Sequence, residues 1–279
     1  NRYPNVGNFK DQLEEKSRNY PEENRTVLFE ALQRQYEGVA ISQKTKDNLI
    51  QLKEPITFTI TTGHQLNLFS GPLYFLYTIN LTIALKKQYP RFNFVPVYWM
   101  ATEDHDFEEI NYFNFRNKKI QWNRDASGPV GRFNTKGLEG IYDTFANELG
   151  GGTNAEELKD LFKNAYLGHS TLAGATRYLA NELFGSQGLV IVDGDDKSLK
   201  RLLVPYVEKD IFDNVSFRKV TETIPKLEKL SDSYRIQVNP REINYFYIKD
   251  GIRERIVAVK DKFHIKSTDI KFSKEGLLQ

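Results

Sequence analysis

Cysteine does not occur anywhere in the 279 residues. Its absence excludes a disulfide framework, a zinc–thiolate centre and a cysteine nucleophile, and a chain without disulfides fits the cytoplasm. Long apolar runs are lacking as well. None approaches the ~18 residues that span a bilayer, and the opening Asn1-Arg2-Tyr3-Pro4 has no basic-then-apolar layout of a signal peptide. No membrane partner is expected. Charge of one sign is not in excess: 39 basic residues stand against 37 acidic, a net +2. Such a balance provides no field to draw nucleic acid. Histidine is scarce, and two of the four fall within residues 55–110.

The composition is otherwise that of a globular protein, 39% hydrophobic and 27% charged. Residues 9–53 carry helical periodicity mixed with charge, and Pro21-Glu22-Glu23 places a proline and two acids at a helix start. Two runs rich in β-branched and aromatic residues follow, Ile56–Ile60 and Phe94–Trp99. Between them Ser70-Gly71-Pro72 reads as an N-cap with proline in the first turn. Leu73, Leu76, Tyr77, Asn80, Leu81 and Ala84 then recur at helical spacing as far as Lys86-Lys87. This is a βαβ unit, and the fold class is α/β with a parallel sheet.

Short runs and turn residues from 112 to 136 predict a small β-rich insertion, followed by helices over 138–149, 155–165 and 170–184. Gly188–Asp193 is a third buried strand, with a helix through Leu202-Leu203-Val204 after it and another over 216–230. Tyr234–Val238, Tyr245–Ile248 and Arg255–Val259 alternate as strands, with Asp250-Gly251 as a hairpin turn. The organisation expected is a helical segment 1–54, a first part of the core 55–110, an insertion 111–185, a return to the core 186–215, and a second insertion 216–279. A first residue that is not Met and a last stretch, Lys274–Gln279, that resembles the first turn of a helix suggest a piece of a longer chain.

In an open parallel sheet, ligands gather outside the carboxyl ends of the strands, so the polar segments after the first two strands meet at one rim. Thr61-Thr62-Gly63-His64-Gln65 leads through Ser70-Gly71 into a helix start, where free N–H groups and the helix dipole suit an anion. His64 could pair with a phosphate or carboxylate or move a proton. The alternative is a hydrogen-bonded turn residue. Glu103-Asp104-His105-Asp106 places four ionisable groups in a row, which repel unless a cation, a basic substrate or hydrogen bonds compensate. Such a block could hold an ammonium group, orient a sugar hydroxyl or accept a proton, against the alternative of a solvated acidic turn. No metal is assigned, because no spacing such as H-E-x-x-H selects one. Asp193-Gly194-Asp195-Asp196 could line the same cleft or cap a helix. Neither a dinucleotide nor a P-loop glycine pattern is present, so a cofactor remains unassigned; ATP is admitted but has no motif behind it. Lys271-Phe272-Ser273-Lys274 is read as a coincidental likeness to a nucleotide-activating loop, and His169 and His264 receive no role.

Thr61–Gln65 with Leu68–Tyr74, followed at a fitting distance by Pro96–Trp99 and Glu103–Ile110, resembles the bacillithiol-biosynthesis cysteine-adding enzymes, the BshC family. Gly128–Arg132, Phe184-Gly185 with Gly188–Asp193, and Asn239–Glu242 are similar to later landmarks of that family. The resemblance implies a Rossmann-like core, related to nucleotidylyltransferases and interrupted by connecting insertions, in a protein about twice this length. It also implies a C-terminal coiled coil beyond this chain that could mediate a homodimer.

The implied reaction joins cysteine through an amide to the amino group of glucosaminyl malate. Glu103, Asp104, His105 and Asp106 would then handle the amine, with His105 or a neighbouring carboxylate as general base. Thr62, Gly63, His64, Gln65, Ser70, Gly71 and Tyr74 would bind substrate. His64 stands where glutamine is frequent in the family, which fits binding better than proton transfer. Two rivals use the same residues: a metal-dependent hydrolase or nucleotidylyltransferase, and a non-catalytic ligand-binding domain.

Overall fold

The computed structural model describes residues 5–71, 74–125, 127–231, 233, 235–249 and 252–279. The chain divides into two compact units, Asn1–Leu199 and Lys200–Gln279.

The first unit opens with three helices, α1 (Phe9–Asn19), α2 (Glu22–Gln35) and α3 (Gln43–Gln51). Pro21 sits extended just ahead of α2 with Glu22 and Glu23 in its first turn. Ser42 caps α3, its hydroxyl accepting the Thr45 N–H at 3.0 Å. The βαβ unit follows as β1 (Thr57–His64), α4 (Tyr74–Gln88) and β2 (Asn93–Met100). Buried Arg25 of α2 fastens the helical preamble to it by donating to the carbonyls of Leu52, Pro55 and Thr57 at 3.0–3.2 Å.

Next come the short α5 (Phe107–Ile110) and the antiparallel pair β3 (Tyr112–Phe115) and β4 (Lys118–Gln121). Helices α6 (Glu139–Leu149), α7 (Thr153–Phe162) and α8 (Leu172–Phe184) lead to β5 (Val190–Asp193) and to α9 (Lys197–Arg201). The core sheet is parallel, in the order β1-β2-β5, with Gly63 beside Trp99 and Trp99 beside Val192. Phe94 through Tyr98 are buried, as are Leu189 through Val192. Continuous apolar runs of this kind are what a strand covered on both faces requires.

The second unit holds α10 (Val204–Asp213) and α11 (Val215–Leu230), then an antiparallel sheet of β6 (Phe246–Lys249), β7 (Ile252–Val259), β8 (Lys262–Ile265) and β9 (Lys271–Phe272). Its small core gathers Ile211, Ile243, Ile256 and Ile265. No helix among the described residues is long and apolar enough to cross a membrane.

Several sequence expectations shift. The first strand does not stop at Ile60 but runs on to His64, so Thr61 to His64 belong to β1 rather than to a loop. The stripe read on α4 lies largely on its outer side: Leu76, Tyr77, Asn80 and Ala84 are exposed, and Phe75, Thr78, Ile79, Thr82 and Leu85 face inward. A helix apolar around most of its girth gives periodicity no unique face to select. Leu73 and the proposed first turn at Pro72 lie outside the described residues. Ser70 is no ordinary N-cap, since it has φ 71° within the 3-10 turn Leu68–Ser70. Leu202 and Leu203 fall between α9 and α10. Of the expected strand Tyr234–Val238, Tyr234 lies outside the described residues and Arg235 to Val238 are exposed and join no strand among them, whereas β8 and β9, too short to show a pattern, complete the sheet. Asp250 and Gly251 lie outside the described residues, and the flanking Lys249 and Ile252 pair across β6 and β7.

Candidate functional site

The parallel arrangement brings the carboxyl ends of β1, β2 and β5 to one rim, and six side chains knit that rim together. From the end of β1, Gln65 donates its Nε2–H to Asp104 Oδ2 at 2.7 Å. From the end of β2, Thr102 is 1% exposed and hydrogen-bonds Asp193 Oδ1 with its hydroxyl. The same hydroxyl accepts the Asp195 N–H at 3.1 Å, and that N–H also reaches Asp193 Oδ1 at 2.9 Å. From the end of β5, Asp195 takes a two-pronged bond from Arg132, at 2.6 Å from Nε and 3.2 Å from Nη2.

The 3-10 turn Val130–Arg132 is tied to the second loop by its backbone, too. Val130 N–H bonds Asp104 O at 2.7 Å and Gly131 N–H bonds Thr102 O at 2.9 Å. At Gly131 the approach is so close that a Cβ would lie 2.6 Å from Thr102 Cβ. A Cβ on Gly194 would lie 2.8 Å from both Trp99 Nε1 and Glu103 Oε2. These two glycines therefore let the β2 loop sit against its neighbours on both sides.

The acidic block is divided in character. Asp104 is held below the usual carboxylate range: burial opposes its charge, but the Gln65 amide, the backbone N–H groups of His105 and Asp106 and the nearby His105 ring outweigh it. The repulsion expected of four adjacent ionisable groups is thus met by hydrogen bonds. His105 stands between two carboxylates, with Nδ1 3.3 Å from Asp104 Oδ1 and Nε2 3.3 Å from Asp106 Oδ1, and all three side chains are solvent-accessible. The group can bind a cation, since three donor atoms of Asp104, His105 and Asp106 lie within 4.8 Å of one another, and its carboxylates and imidazole are of the types that exchange protons.

His64 is placed differently. Its side chain packs among rings, stacked on Tyr98 at 4.7 Å and edge-on to Phe75 at 4.7 Å and Tyr74 at 5.9 Å. Nδ1 lies 2.8 Å from the Gln65 carbonyl, which can only accept, so Nδ1 carries the proton. Nε2 is buried with no hydrogen-bond partner among the described residues. Burial lowers the pKa of this imidazole, and the Gln65 carbonyl partly opposes the shift. The ring is thus neutral at physiological pH, and it steadies the backbone from which Gln65 reaches Asp104.

The turn beyond, Leu68–Ser70, is held in an uncommon conformation. Phe69 has φ 61° and ψ 42°, a region that bulky residues avoid. Its ring lies 4.6–4.8 Å from those of Phe113, Phe145 and Phe162, and its N–H donates to Tyr166 Oη at 3.0 Å. Packing overrides the local preference here.

Residues 1–279 match the family model described as Bacillithiol biosynthesis BshC, N-terminal Rossmann-like domain. The chain belongs to this family. It is 54% identical to a Flavobacterium johnsoniae protein named "Putative cysteine ligase BshC", over 100% of this chain and 53% of that protein. Proteins of the same name from Flavobacterium psychrophilum and Cytophaga hutchinsonii are 51% and 40% identical, over 100% and 97% of this chain and 53% and 50% of their own lengths. The chain spans about half the length of these curated relatives. The three-stranded parallel sheet is accordingly part of a Rossmann-like BshC domain.

Within this BshC domain the sequence-selected residues do not form a single constellation. Gln65, Glu103 and Asp104 meet at the rim, with His105 and Asp106 beside them. Gly63 pairs with Trp99 on the exposed side of β1, whereas Thr62 and His64 alternate onto its half-buried side. Ser70 and Gly71 lie in the strained turn, and Tyr74 is exposed at the start of α4. The expected helix-start anion cradle includes residues 72 and 73, which lie outside the described residues. Of the third loop, Asp193 joins the rim network and Asp196 caps α9, accepting Ser198 N–H at 2.8 Å and Leu199 N–H at 3.2 Å. Thr102, Trp99 and the tie from Arg132 to Asp195 carry no chemical signal of their own in the sequence. The available signals were that Pro96–Trp99 and Gly128–Arg132 both stood among the family-like segments.

Proposed function

We propose that this chain supplies the catalytic rim of a ligase that joins the carboxyl group of cysteine to the amino group of glucosaminyl malate. The observation that carries the reading is the β2 loop of a BshC-family chain, where exposed His105 and Asp106 stand beside an Asp104 kept ionised by Gln65. Amide formation in water requires an activated cysteine carboxyl, as an acyl phosphate or adenylate, with ATP the candidate energy source. The amine nitrogen then attacks the acyl carbon, the new C–N bond replaces the C–O bond to the leaving group, and nitrogen surrenders a proton. His105, with Asp106 or Glu103 as the neighbouring carboxylate, accepts that proton. The Gln65 and Thr102 contacts hold the loop in place, which is where most of the rate would originate.

The whole protein is the acting unit in this reading. It would work in the cytoplasm, with residues 55–110 and 186–215 as core, 111–185 and 216–279 as insertions, and the remainder supplying a coiled coil for a homodimer. The test is to incubate the full-length protein with cysteine, glucosaminyl malate and candidate nucleotides and to follow the amide product by mass spectrometry. Product is expected from the wild type, and His105→Ala should lower kcat by about 10²-fold or more. A His105→Ala enzyme with the wild-type rate would remove His105 from the chemistry. The Asp104, His105 and Asp106 donor set favours one second reading, a metal-dependent hydrolase. Stoichiometric metal in the purified protein, together with no amide product, would select it.

A further inference from the structure

Tryptophan occurs twice in this chain, and the two rings have opposite surroundings. Trp122 is 1% exposed, whereas Trp99 is 37% exposed near the carboxyl end of β2, a strand otherwise buried from Phe94 through Tyr98 and again at Met100. An indole left in water forgoes the burial that an aromatic side chain ordinarily supplies.

The neighbouring strands keep the ring open. In register beside Trp99 stands Gly63 of β1, itself exposed, so that strand position has no side chain with which to cover the indole. On the other flank, past Val192, lies buried Gly194, where a Cβ would be 2.8 Å from Trp99 Nε1 and equally 2.8 Å from Glu103 Oε2. The N–H edge of the indole and the Glu103 carboxylate therefore meet over one glycine.

The charge at this point is one-sided. Glu103 forms no ion pair among the described residues, Asp104 and Asp106 follow it in the same loop, and Arg132 of the rim is bonded to Asp195. An unneutralised carboxylate beside an accessible aromatic ring is a pairing that recognises ammonium: the ring quadrupole attracts the cation and the carboxylate accepts its N–H bonds. A phosphate or carboxylate would be repelled there. A hard metal ion requires oxygen ligands, and the indole offers none.

We propose that Trp99 and Glu103 together seat the ammonium group of a substrate at the rim, at the head of the loop that carries His105. The chemistry is that of a primary ammonium, carried by either amine of the ligase reading above, on which this assignment rests.

The test uses the full-length enzyme with Trp99→Leu, which removes the ring, Trp99→Phe, which keeps an aromatic face, and Glu103→Gln, which removes the charge. Thermal melting checks that each retains the wild-type fold. Calorimetric Kd values are measured for cysteine and glucosaminyl malate and for their amine-free counterparts, 3-mercaptopropionate and glucosyl malate. For at least one of the two amines, Trp99→Leu and Glu103→Gln should each raise the Kd by about tenfold, with Trp99→Phe between wild type and leucine. Which amine responds identifies the ammonium that occupies the seat. Binding of its amine-free counterpart should stay within about twofold in every variant. Unchanged Kd values for both amines, no binding of either by the wild type, or an equal loss for the amine-free counterpart would overturn the proposal, while amide synthesis by the wild type would leave the ligase reading standing. The reverse result, a responsive amine without amide product, would remove the ligase reading and keep the ammonium seat.

Discussion

Replacing Thr102 by valine tests whether the rim is held by hydrogen bonds or merely by shape. The exchange conserves volume, so it opens no cavity; what disappears is one hydroxyl. That hydroxyl donates to the Asp193 carboxylate and accepts the Asp195 N–H. Asp195 N–H retains Asp193 Oδ1 at 2.9 Å, so the main loss is the bond to a charged acceptor at a site where Thr102 is 1% exposed. Such a loss costs about 1.5–3 kcal/mol. For a unit of this size, about 2–4 °C of melting temperature accompanies each kcal/mol, which gives a fall of about 3–12 °C. Thr102→Ser supplies the control. It keeps the hydroxyl and removes only the methyl that faces Gly131, a loss of about 1 kcal/mol. Differential scanning calorimetry and urea titration of the three proteins should rank wild type above serine above valine. A valine variant that melts with the wild type, or a serine variant less stable than valine, would show that the hydroxyl network does not hold the rim.

Three other substitutions probe the same region. Gln65→Leu removes a bond that helps depress the Asp104 pKa. A depressed carboxylate stabilises the fold above its unfolded value near 3.8 and loses that contribution as pH falls through the folded value. The variant should therefore be about 1.5 kcal/mol less stable than wild type at pH 7, with the gap closing below that window in chemical denaturation. His64→Gln addresses the opposite sign. A buried imidazole with a lowered pKa lets the unfolded chain bind more protons as pH drops below 6.5, so wild type loses stability there. The variant should lose less over the same interval, and identical pH–stability curves would remove His64 as the cause. Gly131→Val would force a side chain into Thr102 and should destabilise by about 1–3 kcal/mol or more, measured by urea unfolding. A variant as stable as wild type would mean that the two loops are free to part.

The legible parts of this chain are those in which neighbouring residues share a task. Val95, Val97 and Tyr98, or Leu189 to Val192, are consecutive apolar residues that only a doubly covered strand can bury, and they announced the core sheet. The acidic block after β2 was conspicuous for the same local reason, as four ionisable groups at a strand end. What stayed hidden depended on parity and on distance along the chain. Extending β1 by four residues past Ile60 turns His64 toward Phe75 and Tyr98 and leaves Gly63 facing the other side beside Trp99. No propensity marks where a strand of threonines ends.

The sequence by itself therefore determined the element types of the core, the parallel sheet and the polar rim, because periodicity and strand-end placement are properties of short stretches. Only the tertiary structure decided which residues act together there. Gln65 with Asp104, Thr102 with Asp193, and Arg132 with Asp195 lie 39, 91 and 63 positions apart. Their partnership exists only once three strands are laid side by side and the Val130–Arg132 turn is folded back over them.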